Sequence, residues 1–227
     1  MKPEPLKMTP AAVLFDLDGT LIDTAPDFIR VVNAQRQQYG LQPLSSEQIR
    51  NSVSNGARAL INLSFGLDVD DPGYAEKHTE LLDMYLAGLA MDTVLFPGMD
   101  KLISALESIG IPWGIVTNKP RRFTDPLLDQ MALQNRCGVT VCPDDVTNRK
   151  PDPEPLLLAC TTLKVEPRNC IYVGDHIRDI EAGKRAEMYT VAARFGYINE
   201  PAEVSDWGAD LIVDHAQELH DFLQQYL

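Results

Sequence analysis

A short apolar run, Ala12 to Phe15, opens directly onto Asp16-Leu17-Asp18-Gly19-Thr20-Leu21. The run is apolar on both faces and too short for a helix, so it reads as an interior strand of a parallel sheet. A strand ending this way sets two carboxylates at its carboxyl edge, where open α/β sheets bind their ligands. Gly19 lets the chain leave the strand through backbone angles that other residues avoid. A strand followed by an acidic turn is the plain alternative, because Asp and Gly form turns readily. The rest of the chain decides between the two.

Residues from about 24 to 92 are helical in pattern. Asp23-Thr24-Ala25-Pro26 reads as a helix start, with a capping residue and a proline in the first turn, and Gly40 ends the helix that runs from Phe28 to Tyr39. Ser45-Ser46-Glu47 opens a second helix reaching about Asn55, and Ala57 to Phe65 form a third. Asp70-Asp71-Pro72 is expected to start a longer helix reaching about Ala90. After Pro97-Gly98 the pattern changes to alternating helices and strands. The expected strands are Trp113–Val116, Val139–Val141, Cys170–Val173, Thr190–Ala193 and Leu211–Val213. A helix at Met99–Ser108 precedes them, and helices at about Phe123–Met131, Asp152 to about Leu163, and Ile177–Ala186 lie between them. Asp214 with Gln217 resembles a capping box for a last helix, Ala216 to Tyr226. This alternation is the signature of a doubly wound parallel sheet. The expected architecture is an α/β core of residues 1–23 and 93–227, with a helical cap of residues 24–92 inserted after the first strand.

Composition removes several classes of function. The formal charge of −13 argues against non-specific nucleic-acid binding and against anionic membrane surfaces. No apolar stretch is long enough to span a bilayer. Met1-Lys2-Pro3-Glu4-Pro5 lacks the apolar segment of a signal peptide, so a cytoplasmic protein is expected. Cys137, Cys142, Cys160 and Cys170 lack paired metal-ligand spacing and read as free, mostly buried thiols.

Four elements would converge on one sheet edge: Asp16 with Asp18, Thr117 with Asn118, Lys150 in Arg149-Lys150-Pro151-Asp152-Pro153, and Asp175 with Asp179. Clustered carboxylates repel and raise one another's pKa unless a cation joins them. A set of oxygen ligands without a His or Cys constellation favours a hard cation, Mg²⁺ first. A lysine, a threonine hydroxyl and backbone N–H groups beside such a cation suit the oxygens of a phosphoryl group in transfer. An aspartate facing the phosphorus can act as nucleophile. A second carboxylate two residues on can protonate the leaving oxygen and then activate water.

These residues resemble, in order, the four motifs of the haloacid dehalogenase superfamily, and the helical insert resembles its small helical cap. The likeness covers nearly the whole chain and is strongest to the phosphoglycolate-phosphatase-like subgroup. It implies that Asp16 is nucleophile and metal ligand, and that Asp18 is general acid/base and offers the metal its backbone carbonyl. Thr117 and Asn118 would hold the phosphoryl group and Lys150 would bind both nucleophile and phosphate. Asp175 would bind Mg²⁺, with Asp179 in support through water or Lys150. An acid at position 18 points to phosphate esters, because dehalogenases of the superfamily lack one there. Two departures stand out. His176 occupies a position where a hydroxyl residue is frequent, and Glu187 one where glycine is usual. The resemblance implies a small phosphate-ester substrate carrying a carboxylate, either 2-phosphoglycolate or N-acetylmuramic acid 6-phosphate, with Arg58 as a candidate reader of that carboxylate. Lys119, Arg121 and Arg122 are open between the rim of a site and plain surface. A sugar phosphomutase of the same fold and a non-enzymatic phospho-receiver or binding module are the competing functions. The acid partner at plus two and the cap oppose the receiver.

Overall fold

The computed structural model describes residues 9–198 and 200–226. The N-terminal segment read above for a signal peptide lies outside the described residues. The chain divides into two compact units, Met1–Ile22 with Leu95–Leu227, and Asp23–Val94.

The first unit is a Rossmann-like α/β fold built on six strands: β1 (Ala12–Phe15), β4 (Trp113–Val116), β5 (Val139–Val141), β6 (Cys170–Gly174), β7 (Tyr189–Ala193) and β8 (Leu211–Val213). They form one sheet in the order β5-β4-β1-β6-β7-β8, and every pairing is parallel. Two further strands of two residues each, β2 (Ile22–Asp23) and β3 (Val94–Leu95), pair with each other. All four residues of β1 are buried, as expected for a central strand covered on both faces. Phe15 pairs with Ile115 of β4 and with Val173 of β6, so the three strands end level with one another. The chain builds the sheet outward from β1 on one side and then on the other, which makes β1 the switch point of the topology. Crevices at the carboxyl ends of strands beside such a point are where this class of sheet binds ligands.

Helices α5 (Met99–Ser108), α6 (Arg121–Gln130), α7 (Glu154–Leu163), α8 (Ile177–Arg185) and α9 (Ala216–Leu223) belong to this unit. One apolar cluster joins Leu14, Val116, Val141 and Tyr172 to Leu156, Ala159 and Ala182 of α7 and α8. On the remaining sheet edge Ile180, Ala192 and Val204 pack together. Trp113 is buried, edge-on to Phe15, and its indole N–H donates to Glu107 at 3.0 Å. Cys142, Cys160 and Cys170 are buried and all four thiols are free.

The second unit holds α1 (Ala25–Gln38), α2 (Ser46–Val53), α3 (Gly56–Phe65) and α4 (Tyr74–Ala87). Phe28 stacks on Tyr85 with ring centroids 4.1 Å apart. The carboxylate of Asp27, fully buried, accepts from Arg30, from the Asp92 N–H and from the Thr93 hydroxyl. Ser45 caps α2 in a reciprocal capping box with Gln48.

Three local expectations are corrected. The helix expected from Asp70-Asp71-Pro72 begins only at Tyr74, because Gly73 takes a left-handed φ of 85° and Tyr74 N–H bonds back to Asp71 as a turn. Thr24 stands before α1 but makes no side-chain cap; Asp23 accepts from Ala25 N–H at 3.2 Å instead. At α9, Asp214 and Gln217 do not form a box. Arg194 engages both oxygens of Asp214, and Glu218 accepts from the Asp214 N–H.

Candidate active site

Asp16 follows β1, Thr117 follows β4 and Asp175 follows β6, so three adjacent strands deliver them to one edge. Lys150 arrives from the segment between β5 and α7. Its ammonium is buried and lies 3.0 Å from Asp16 Oδ1, 2.7 Å from Asp179 Oδ1, 2.9 Å from the Val116 carbonyl and 2.7 Å from the Tyr172 hydroxyl. Lysine is seldom fully buried unless paired. This one joins the ends of β1, β4 and β6 and the start of α8.

Asp16, Asp175 and Asp179 each place one carboxylate oxygen within 4.8 Å of the others. Burial first, and then the charges of Asp16 and Asp179, hold Asp175 well above the usual carboxylate range. Burial, opposed by Lys150 and reinforced by Asp179, pushes Asp16 up to about 6. Burial disfavours the Lys150 ammonium, but Asp16 and Asp179 outweigh it and hold it above the ordinary lysine value. Counted as ionised, three carboxylates and one ammonium leave a net charge of −2 in a buried cluster. Such an excess calls for a cation, and an all-oxygen donor set of this size fits Mg²⁺.

Asp175 accepts from the Thr20 hydroxyl at 3.3 Å and from the Tyr197 N–H at 2.8 Å. The backbone crowds it from both sides. Gly19 has φ +82°, and a Cβ there would come 2.1 Å from Asp175 Oδ2. At Gly196 a Cβ would lie 2.3 Å from both Asp175 Cβ and the Gly19 carbonyl. Gly196→Ala is therefore expected to displace Asp175 and lower kcat/KM by about 100-fold or more, the cost of a misplacement near 1 Å. Steady-state kinetics alongside circular dichroism checks this, and wild-type turnover would show that the Asp175 geometry is not required.

Asp18 sits in a tight loop closed by Gly19 N–H on Ile22 O and by the Leu21 and Ile22 N–H groups on Leu17 O. Its carboxylate is outside the three-oxygen group and faces Lys119, whose Nζ is 3.0 Å from Oδ1 and 3.3 Å from Oδ2. Thr117 is buried, and its hydroxyl accepts from Lys119 N–H. Asn118 donates through Nδ2 to the Lys150 carbonyl at 3.0 Å, tying the loop that carries Lys150 to the end of β4. Arg58 belongs to the other unit, on α3, where it lies 3.8 Å from Asp68 and is largely exposed.

His176 takes over the local work of a hydroxyl residue. Its Nδ1 accepts from Arg178 N–H while Asp179 Oδ2 accepts from His176 N–H, a reciprocal cap on α8. Burial lowers its pKa to about 4, which keeps the ring neutral and able to accept. Glu187, where glycine is usual, has φ 59°, in the left-handed region that favours glycine, at the far end of α8.

Two participants escape the sequence reading. Lys119, left open as rim or surface, is buried against Asp18. Tyr172 looks like one more apolar strand residue, yet its hydroxyl accepts from Lys150 and donates to the Val116 carbonyl at 2.9 Å. Only the residue type hints at this, because a buried tyrosine needs a partner for its O–H.

Residues 13–193 match the haloacid dehalogenase-like hydrolase family, and the chain belongs to it. Among curated relatives, the N-acetylmuramic acid 6-phosphate phosphatase of Pseudomonas aeruginosa is 46% identical over 221 residues, covering 97% of this chain and 98% of its own. The phosphoglycolate phosphatase of Xanthomonas campestris is 40% identical, covering 92% and 95%. A crystal structure of a predicted phosphoglycolate phosphatase from Haemophilus somnus shares the fold, with a TM-score of 0.83 at 23% identity over 95% of this chain and 98% of the other.

Proposed function

We propose that this phosphoric monoester hydrolase depends on Mg²⁺, works through an aspartyl-phosphate on Asp16, and acts on a small anionic ester. N-acetylmuramic acid 6-phosphate is the first candidate and 2-phosphoglycolate the second. The observation that carries the reading is the buried Lys150, set between Asp16 and Asp179 beside Asp175. A lysine held on a nucleophilic carboxylate can orient it and then meet the negative oxygens of an arriving phosphoryl group.

In the first step an Asp16 oxygen bonds to phosphorus, the ester P–O bond breaks, and Asp18 gives its proton to the leaving oxygen. In the second, Asp18 takes a proton from water as that water attacks phosphorus, the P–O bond to Asp16 breaks, and inorganic phosphate leaves. Thr117, Asn118 and Lys150 supply donors to the phosphoryl oxygens. Asp16, Asp175, Asp179 and the Asp18 carbonyl are the candidate holders of Mg²⁺, which when bound neutralises the carboxylates and the phosphoryl charge. Arg58 is the candidate reader of the substrate carboxylate, and the order of substrates rests on the relatives' degree of identity.

Among the described residues no helix is long and apolar enough to cross a membrane. The charge of −13 opposes nucleic acid and anionic membranes as partners, and the free thiols suit a reducing cytoplasm.

Phosphate release with Mg²⁺ across N-acetylmuramic acid 6-phosphate, 2-phosphoglycolate, sugar phosphates and nucleoside monophosphates tests the reading. An advantage of about 100-fold in kcat/KM, worth about 2.7 kcal/mol, identifies the substrate. No release from any of them, or transfer of phosphate back to sugar, contradicts hydrolysis.

A pH dependence follows for the metal-free protein. Asp16 and Asp175 have folded pKa values raised above their unfolded ones, so their contribution to stability is fully present below the ordinary carboxylate value; that of Asp16 is lost as pH rises through about 6, and that of Asp175 as pH rises through its own value, well above the usual carboxylate range. Because Mg²⁺ competes with those protons, it should raise Tm more at about pH 7.5 than at about pH 5. Differential scanning calorimetry with and without chelator checks this; equal gains at both pH values would remove the carboxylates from metal binding.

A further inference from the structure

We propose that Lys119 is a positioning residue for Asp18, its ammonium fixing the carboxylate in the orientation from which that group passes protons to and from the reacting oxygens. The inference rests on the acid/base role proposed above for Asp18.

The backbone on both sides of the contact is already fixed. Asp18 lies in the Leu17–Ile22 loop with its internal bonds. Lys119 N–H donates to Thr117 Oγ1 at 3.1 Å, and its carbonyl accepts from Thr124 Oγ1 at 3.1 Å. Where the Asp18 carboxylate points is then set by rotation of its side chain. An ammonium within 3.3 Å of both oxygens restrains that rotation, because any turn of the carboxylate lengthens one contact or the other. The arrangement is a costly one for mere structure. Lys119 is only 8% exposed, and a long charged side chain gives up its rotamer freedom and much of its hydration to be held there. The same pair also turns Asp18 toward Lys119 and leaves its side chain outside the carboxylate group of Asp16, Asp175 and Asp179.

The test compares Lys119→Met, Lys119→Gln, Lys119→Arg and Asp18→Asn with the wild type, all with Mg²⁺, on three esters. The first is p-nitrophenyl phosphate, whose leaving group departs without a proton. The second is glycerol phosphate, an alkyl ester of an uncharged alcohol. The third is 2-phosphoglycolate, an alkyl ester with a carboxylate. Lys119→Met and Lys119→Gln should lower kcat/KM about 100-fold for both alkyl esters and less than about 5-fold for the aryl ester. With the aryl ester kcat and KM should fall together, because attack of water on the phosphorylated Asp16 still needs Asp18. Lys119→Arg should recover most of the loss, since a guanidinium also grips two carboxylate oxygens. The alkyl-to-aryl ratio is taken within one preparation, so a partly unfolded variant does not distort it. An equal loss on aryl and alkyl esters, no loss, or a loss confined to 2-phosphoglycolate would each overturn the proposal, the last by making Lys119 a reader of the substrate carboxylate. Asp18→Asn should show the same alkyl selectivity; if it does not, the acid/base reading of Asp18 fails, independently of Lys119.

Discussion

Asp16→Asn should cost at least about 10⁴-fold in kcat while leaving the fold intact, the scale expected when a nucleophile is removed. The charge count explains the second half. With all four groups ionised, the cluster of Asp16, Asp175, Asp179 and Lys150 carries −2; the substitution reduces this to −1. It leaves Lys150 its contacts to Asp179, the Val116 carbonyl and Tyr172. The amide oxygen of asparagine can still accept from the Leu17 N–H, as Asp16 Oδ1 does at 2.7 Å. Stability should therefore change by less than about 1.5 kcal/mol, the ordinary range for a change of similar volume. Urea denaturation and phosphate release measure the two effects. Turnover within tenfold of the wild type would refute the nucleophile assignment.

Lys150→Met should do the opposite, striking the fold as hard as the chemistry. The cluster's charge goes from −2 to −3, and Asp16, Asp179 and Tyr172 lose the ammonium they share. Removing one partner of a buried ion pair costs about 3–5 kcal/mol, because the remaining charge is left buried without compensation. For a chain of this size that lowers Tm by roughly 6–20 °C. Mg²⁺, binding the same carboxylates, should return part of the loss, and lowering the pH toward 5 should return more as they take up protons. A variant that melts with the wild type in chelator would show that Lys150 does not hold the three strand ends together.

Much of this was legible in the chain. The strands β1 and β4 fall on their apolar runs because a strand buried on both faces has nothing polar to interrupt it, and the partly buried edge strands β5 and β8 also fall on the short runs expected for them. Asp16, Thr117 and Asp175 come to one edge because parallel strands all present the same end, and Lys150 joins them from the segment between β5 and α7. What stayed hidden depended on partners distant in sequence. In β6 every residue is buried, so period alone cannot tell that Tyr172 sends its hydroxyl to Lys150. Lys119 follows two motif residues and looks like any lysine beside a proline until Asp18, 101 positions away, is placed against it. Asp214 reads as a helix cap until Arg194 takes both its oxygens. At Asp70-Asp71-Pro72 two local signals compete, and the left-handed Gly73 prevails over the proline as the point where α4 begins. His176 looks like a departure, yet neutral imidazole nitrogen accepts from the start of α8 as a hydroxyl would.

The most direct measurement is chemical. The enzyme is mixed with Mg²⁺ and a labelled phosphomonoester, quenched in acid within the first turnovers, digested, and the phosphate located by peptide mapping. Label is expected on Asp16, cleaved by hydroxylamine as an acyl phosphate is, and absent from Asp16→Asn. Phosphate released at the normal rate with no label on the protein, or with label on another residue, would contradict the nucleophile assignment.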